Sequence, residues 1–223
     1  MFASLSPIWQ VCVEQAWEAD CAGSVPIGAV VVDAQGKIIS MGRNRICEIA
    51  PGENRMVISN HRLAHAEINA LLAADFQVHD PGRCVLYALV EPCPLCIGAI
   101  VMANLVKYHY ASRCNWAGST ELLQATAYMR SKKVQAIGPE GGEFETALVA
   151  WQLECHLSRA GKRAEPLLKA SETDLPRSVA AARQMYRDGV IQKMRREGKS
   201  AREMFDALYR SVDKAEQGEF PCE

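Results

Sequence analysis

Two short motifs, His65-Ala66-Glu67 and Pro92-Cys93-Pro94-Leu95-Cys96, limit how this chain can fold, because their side chains have a use in common only if they meet. Each stands near the start of a stretch with helical periodicity, and an apolar run, Cys84 to Val90, lies between them. Cys93 and Cys96 are three residues apart, so one helical turn brings both sulfurs to the same side. With the imidazole of His65 from the other helix they make a three-ligand set for zinc that leaves a fourth position for water. Two thiolates and a neutral imidazole cancel the formal charge of Zn²⁺ and weaken its hold on water. Helix N-termini, where unsatisfied N–H groups favour thiolate and hydroxide, restore some of that power. Glu67 is then better used as a base than as a ligand.

The rest of the chain is read around this unit. Ile8, Trp9, Val13, Ala16 and Trp17 recur at helical spacing over Pro7 to Ala22, with Gly23 as a stop. Pro26 to Val32 and Lys37 to Met41 read as a hairpin around Ala34-Gln35-Gly36. Ile46 to Asn60 reads as a long loop. Helices over Leu63 to Phe76 and after Cys93 flank the Cys84 to Val90 strand, and Val106 to Ala111 and Lys133 to Ile137 are further strands. This order argues for a three-layer α/β/α sandwich with a mixed central sheet. A helix carrying Phe144, Leu148, Trp151 and Leu153 follows. A division near Leu157 separates residues 1–157, a zinc-dependent catalytic domain, from a helical C-terminal extension, 158–223, in which Ser200-Ala201-Arg202-Glu203 forms a capping box.

Composition bounds the partners. A net charge of -1 gives no overall attraction to nucleic acid or to an acidic membrane. Met1–Cys155 holds 11 Lys and Arg against 15 Asp and Glu, a balance of -4, and His156–Glu223 holds 14 against 11, a balance of +3. The N-terminus lacks the pattern of an export signal and no apolar run reaches membrane-spanning length, so a cytoplasmic location without membrane contact is expected. Nine cysteines in a reducing compartment point to thiols and metal ligation rather than a disulfide framework. Cys12, Cys21, Cys84 and Cys155 are expected in packed positions.

With Val25-Pro26-Ile27-Gly28-Ala29-Val30-Val31-Val32 and Glu91-Pro92-Cys93-Pro94-Leu95-Cys96-Ile97-Gly98-Ala99 added to the two motifs, the sequence over Pro7 to Gly118 resembles the cytidine and purine deaminase superfamily. Its flavour is nearest to the tRNA adenosine and guanine deaminase branch. The resemblance implies a cytidine-deaminase-like fold, bound zinc and a homodimer. It also implies that Glu67 takes a proton from water activated at the metal and delivers protons to a ring nitrogen and the leaving amine. By the same resemblance the Ala66 N–H contacts the base, the backbone at Glu91 and Pro92 holds the amino group, and Asn44, in Gly42-Arg43-Asn44, touches the ring.

Several blander readings stand beside these. His61, Cys47 or Cys114 would turn the centre into a four-ligand structural site if one of them joined it. Asn44 could serve a strand-end turn, and Trp116 is equally a stacking platform or a packing residue. The expected substrate is a small aminated nucleobase or nucleoside, purine-type first. Adenosine in tRNA is the second reading, through Lys193, Arg195, Arg196, Lys199 and Arg202, and cytosine or cytidine another. A non-catalytic assembly protein that keeps the zinc fold is a different class, against which an intact Glu67 argues.

Overall fold

A computed structural model of the chain describes residues 1–49 and 57–216. Helix α1 (Pro7–Cys21) starts where Ser6 accepts a hydrogen bond from the N–H of Trp9 and Pro7 takes the first helical position. Strands β1 (Gly28–Val32) and β2 (Ile38–Arg43) form the expected hairpin, closed by Asp33, whose carboxylate accepts from the N–H groups of Gln35 and Lys37 at 2.9 and 3.0 Å. Helix α2 (Ala66–Ala73), β3 (Val85–Val90), α3 (Pro94–Met102) and β4 (Lys107–Ser112) follow. The short α4 (Ala127–Ser131) leads to β5 (Gln135–Ile137), and α5 (Gly142–Ala160) runs across Leu157, where a division is expected from the sequence.

The sheet order is β2-β1-β3-β4-β5. β1 pairs antiparallel with β2 and β3, whereas β3–β4 and β4–β5 are parallel. The sheet is therefore mixed, as expected, and its faces are covered differently. β1 is buried along its whole length: Ala29 and Val31 pack with Ala66, Ala70, Ile97 and Ile100 from α2 and α3, while Val30 and Val32 pack with Trp9, Trp17 and Trp151 from α1 and α5. A strand buried on both faces reads as a continuous apolar run, which is how Ala29 to Val32 reads. β2 lies so close to α2 that a Cβ at Gly42 would stand 2.3 Å from the backbone nitrogen of Ala70. Glycine there lets α2 sit directly on the hairpin.

The C-terminal region consists of α6 (Glu165–Glu172), α7 (Pro176–Asp188), α8 (Val190–Arg196) and α9 (Ala201–Glu216). Ser200 and Glu203 form the reciprocal capping box at the start of α9, with Glu203 accepting from the Ser200 N–H at 2.9 Å and Ser200 from the Glu203 N–H at 3.2 Å. Beyond it, Met204, Phe205, Leu208, Tyr209 and Val212 join the same core as Trp9, Phe144 and Trp151. Trp17 donates its indole N–H to the Lys199 carbonyl at 2.7 Å, and the Phe2 N–H reaches Asp206 at 2.8 Å. The extension thus returns to the first helix. Among the described residues, no helix is long and apolar enough to cross a membrane.

Two expectations need correction. Cys21 is exposed, because it closes α1 on its outer side, while Cys12, Cys84 and Cys155 are buried as anticipated. Helix α2 starts at Ala66 rather than near Leu63, since His65 is extended (φ -75°, ψ 155°) and Leu63 is exposed. Part of the expected loop from Ile46 to Asn60, residues 50–56, lies outside the described residues.

Candidate metal and proton-transfer site

His65 is the N-cap of α2 and Cys93 the N-cap of α3, with Pro94 next in a first-turn position where its missing N–H costs nothing. The two helices run on the same face of the sheet, so their N-terminal ends, and with them the positive ends of their dipoles, meet. His65 Nδ1 lies 3.5 Å from Cys93 Sγ and 3.4 Å from Cys96 Sγ, and the two sulfurs are 3.7 Å apart. A tetrahedral zinc with ordinary bond lengths separates two sulfurs by about 3.8 Å and sulfur from nitrogen by about 3.5 Å. The three donors already stand at those spacings. The two sulfurs share a proton across their 3.7 Å contact, which, with the His65 contact, lowers the Cys93 thiol to about 4 and, with burial, pushes the Cys96 thiol up. A divalent cation between the sulfurs would replace that shared proton and let both act as thiolates.

Glu67, in the first turn of α2, is 3% exposed, and its Oε2 is buried without a hydrogen-bond partner. Burial raises its carboxyl above the usual carboxylate range. A wholly buried, unpartnered carboxylate oxygen is costly, and water or substrate at the site would satisfy it. Among the described residues no fourth metal-ligating side chain joins the cluster. The Nδ1 of His61 instead accepts the Leu63 N–H at 3.2 Å, and Cys47 is exposed with its sulfur beside the Arg159 guanidinium.

A family model described as "Cytidine and deoxycytidylate deaminase zinc-binding region" matches residues 4–112. The chain is 38% identical over 92 residues to a guanine deaminase of Bacillus subtilis (strain 168), an alignment covering 39% of this chain and 50% of that protein. It is 34% identical over 95 residues to a tRNA-specific adenosine deaminase of Haemophilus influenzae, covering 42% and 49%. A cytosine deaminase of Candida albicans is 25% identical over 118 residues, covering 51% and 70%. This chain belongs to the cytidine and purine deaminase superfamily. Its zinc-binding region contains all three donors, and the alignments span about half the length of the guanine and tRNA adenosine deaminases that it resembles. The relatives carry three different substrate names, so membership of the superfamily does not choose among bases.

The neighbours of the site include groups that the sequence marks, Asn44, Glu91 and Trp116, and one that it does not, Asn69. Asn44 is buried, and its Oδ1 accepts the Ile46 N–H at 3.1 Å, so it does serve a turn after β2. Asn69, two residues beyond Glu67, is buried as well. It accepts the Ile58 N–H at 2.8 Å and donates to the carbonyls of Arg43 and Ile58 at 3.1 and 3.0 Å, fastening both flanks of the loop to α2. Its only sequence signal is an amide in an apolar helix. Glu91 uses its side chain: the carboxylate accepts from the N–H groups of Cys114 (3.4 Å) and Thr120 (3.2 Å), while the Ser119 N–H reaches the Pro92 carbonyl at 3.1 Å. Trp116, in the same loop, is 61% exposed and is therefore no core packing residue.

Proposed function

We propose that this chain is a zinc-dependent hydrolase that replaces the exocyclic amino group of a small nucleobase or nucleoside, purine-type first, with oxygen and releases ammonia. The observation that carries this reading is the unpartnered Oε2 of Glu67, buried beside a three-donor set with no fourth protein ligand among the described residues. Structural zinc sites commonly have four protein ligands and need no buried carboxylate at hand. When bound to His65, Cys93 and Cys96, zinc supplies Lewis acidity that makes water easier to deprotonate at neutral pH. Glu67 accepts that proton as oxygen adds to the amino-bearing ring carbon, and passes a proton to the adjacent ring nitrogen. It then takes the remaining proton from the added oxygen and gives it to the departing amine, leaving a ring carbonyl and ammonia. The Ala66 N–H, at the first position of α2 and without an intrahelical acceptor, is assigned to the base. The Glu91–Pro92 backbone is assigned to the amino group and the amide nitrogen of Asn44 to the ring edge.

A small substrate is supported by charge. Of the basic side chains considered for RNA, Lys193 lies 3.9 Å from Glu197, Arg195 3.8 Å from Asp20 and Lys199 3.1 Å from Glu203, so these cations face acids of their own chain. The test is ammonia release by zinc-loaded protein from guanine, adenine, cytosine, their nucleosides and a tRNA anticodon stem-loop. Turnover is expected on a purine base or nucleoside. Turnover on the RNA alone would move the substrate class, and none on any compound would favour a non-catalytic assembly protein.

We propose a homodimer as the working state. Exposed Leu72 on α2, Leu95 and Met102 on α3 and Tyr128 on α4 present apolar surface beside the site helices, with the Tyr128 hydroxyl 3.5 Å from Met102 Sδ. Light scattering is expected to give twice the 24.5 kDa chain mass, and Met102→Glu to lower it towards the monomer. A monomeric parent protein would contradict this.

A further inference from the structure

The loop over residues 113–120 is fastened on two sides. Inwardly, the Glu91 carboxylate and Pro92 carbonyl take the N–H groups of Cys114, Thr120 and Ser119, and Cys93, a metal donor, follows directly. The Gly118 N–H closes the loop on the Cys114 carbonyl at 2.7 Å, and a Cβ on Gly118 would stand 2.2 Å from Glu91 Oε2, so nothing larger than glycine fits against this clamp. Outwardly, the Arg113 N–H and guanidinium reach Glu145 of α5, at 3.0 Å from the N–H and 2.8 Å from Nε. Asn115 donates from Nδ2 to the Ala170 carbonyl and to Asp174 Oδ2, both at 3.1 Å. Ala170 lies in the last turn of α6, where carbonyls lack intrahelical donors, so Asn115 caps a helix of the extension from a distant loop.

Behind this loop the packing is not solid. A cavity of about 60 Å³ is lined by Cys114, Asn115 and Trp116 together with Val149, Leu153 and His156 of α5 and Leu167 of α6. Cys114 packs against the core, but with a gap beside the exposed Trp116, directional bonds rather than close packing determine where the outer part of the loop stands.

We propose that Asn115 is a positioning residue through which α6 sets the substrate-side wall of the site, so that the C-terminal extension helps determine substrate affinity. The inference rests on the deaminase reading for its kinetic half only. Glu91 holds the loop to the metal-donor turn whatever the extension does. Asn115 fixes the outer turn that carries Trp116, beyond the Arg113–Glu145 contact. Losing it loosens substrate binding and leaves the chemistry at Glu67 in place.

The test compares Asn115→Ala, Asp174→Ala and Asp174→Asn with the parent protein, all zinc-loaded. Asp174→Asn keeps an acceptor for Asn115 and serves as the conservative control. For Asn115→Ala, amide hydrogen exchange over 113–120 is expected to quicken about tenfold, the effect of losing roughly one hydrogen bond's worth of restraint, with β1 and β3 unchanged. KM is expected to rise about tenfold while kcat changes less than about threefold, because uniform binding is lost and transition-state contacts are kept. Zinc content should stay constant. Asp174→Ala should follow the same direction more weakly, and Asp174→Asn should match the parent. Unchanged exchange in Asn115→Ala overturns the tether. Faster exchange with KM unchanged, or with kcat falling instead, overturns the role in substrate affinity. If the parent protein turns over none of the bases, the deaminase reading fails while the exchange result still decides the tether.

Discussion

Glu67→Gln is expected to lower ammonia release at least about 10³-fold with zinc content unchanged. The size follows from the number of proton transfers that one carboxylate serves, since a positioned acid or base contributes about 10²–10⁴-fold. Glutamine keeps the volume and the helix but can neither take the proton from water nor return it. Zinc is retained because the donors are His65, Cys93 and Cys96, whose spacings already match the metal without help from Glu67. Metal analysis and single-turnover ammonia release on the same sample separate the outcomes. Parent-like turnover would remove Glu67 from the chemistry, and loss of zinc would make it a ligand.

Phe205→Ala is expected to destabilise the whole molecule, not its C-terminal region alone. Phe205 is wholly buried with its ring 6.3 Å from Phe2, 5.8 Å from Phe144 and 5.3 Å from Tyr209, so truncation opens a cavity among α9, α5 and the N-terminus. Such a change costs about 3–5 kcal/mol, whereas Arg202→Ala, on the exposed side of the same helix, should stay within about 0.5 kcal/mol. Denaturant unfolding followed by tryptophan fluorescence and by far-UV circular dichroism should show one shared transition that moves with Phe205→Ala. The division at Leu157 is then proposed as one between the motif-bearing module and a helical extension within a single cooperative unit. Two separate transitions would instead make 158–216 a folding unit of its own.

How far the sequence disclosed these features depends on the range of the interactions. The motif helices were legible because their signals are local: Pro94 at a first turn, apolar residues at helical spacing, and donors separated by one turn. The hairpin was legible because Ala34-Gln35-Gly36 supplies turn chemistry next to a β-branched run. The capping box before α9 was legible for the same reason. Periodicity makes helix α2 too long, because Leu63 satisfies the apolar spacing while His65 is extended, and periodicity does not register a backbone that has left the helix. Asn69, the Glu91 carboxylate and Asn115 were illegible as structural ties. Each bonds to backbone groups far away in sequence, and no local pattern encodes a partner such as Ala170. Docking of α9 was hidden likewise: Met204, Phe205 and Leu208 announce an apolar face, but not that Trp9 and Trp151 lie beneath it.

The central claim is that one imidazole and two thiolates hold zinc and leave the remaining coordination position to solvent. X-ray absorption at the zinc edge of the loaded protein tests it most directly. Two sulfur scatterers at about 2.3 Å and two nitrogen or oxygen scatterers at about 2.0–2.1 Å are expected, with only one imidazole among the latter. A third sulfur or a second imidazole would contradict the account, because the position that Glu67 serves would then belong to the protein.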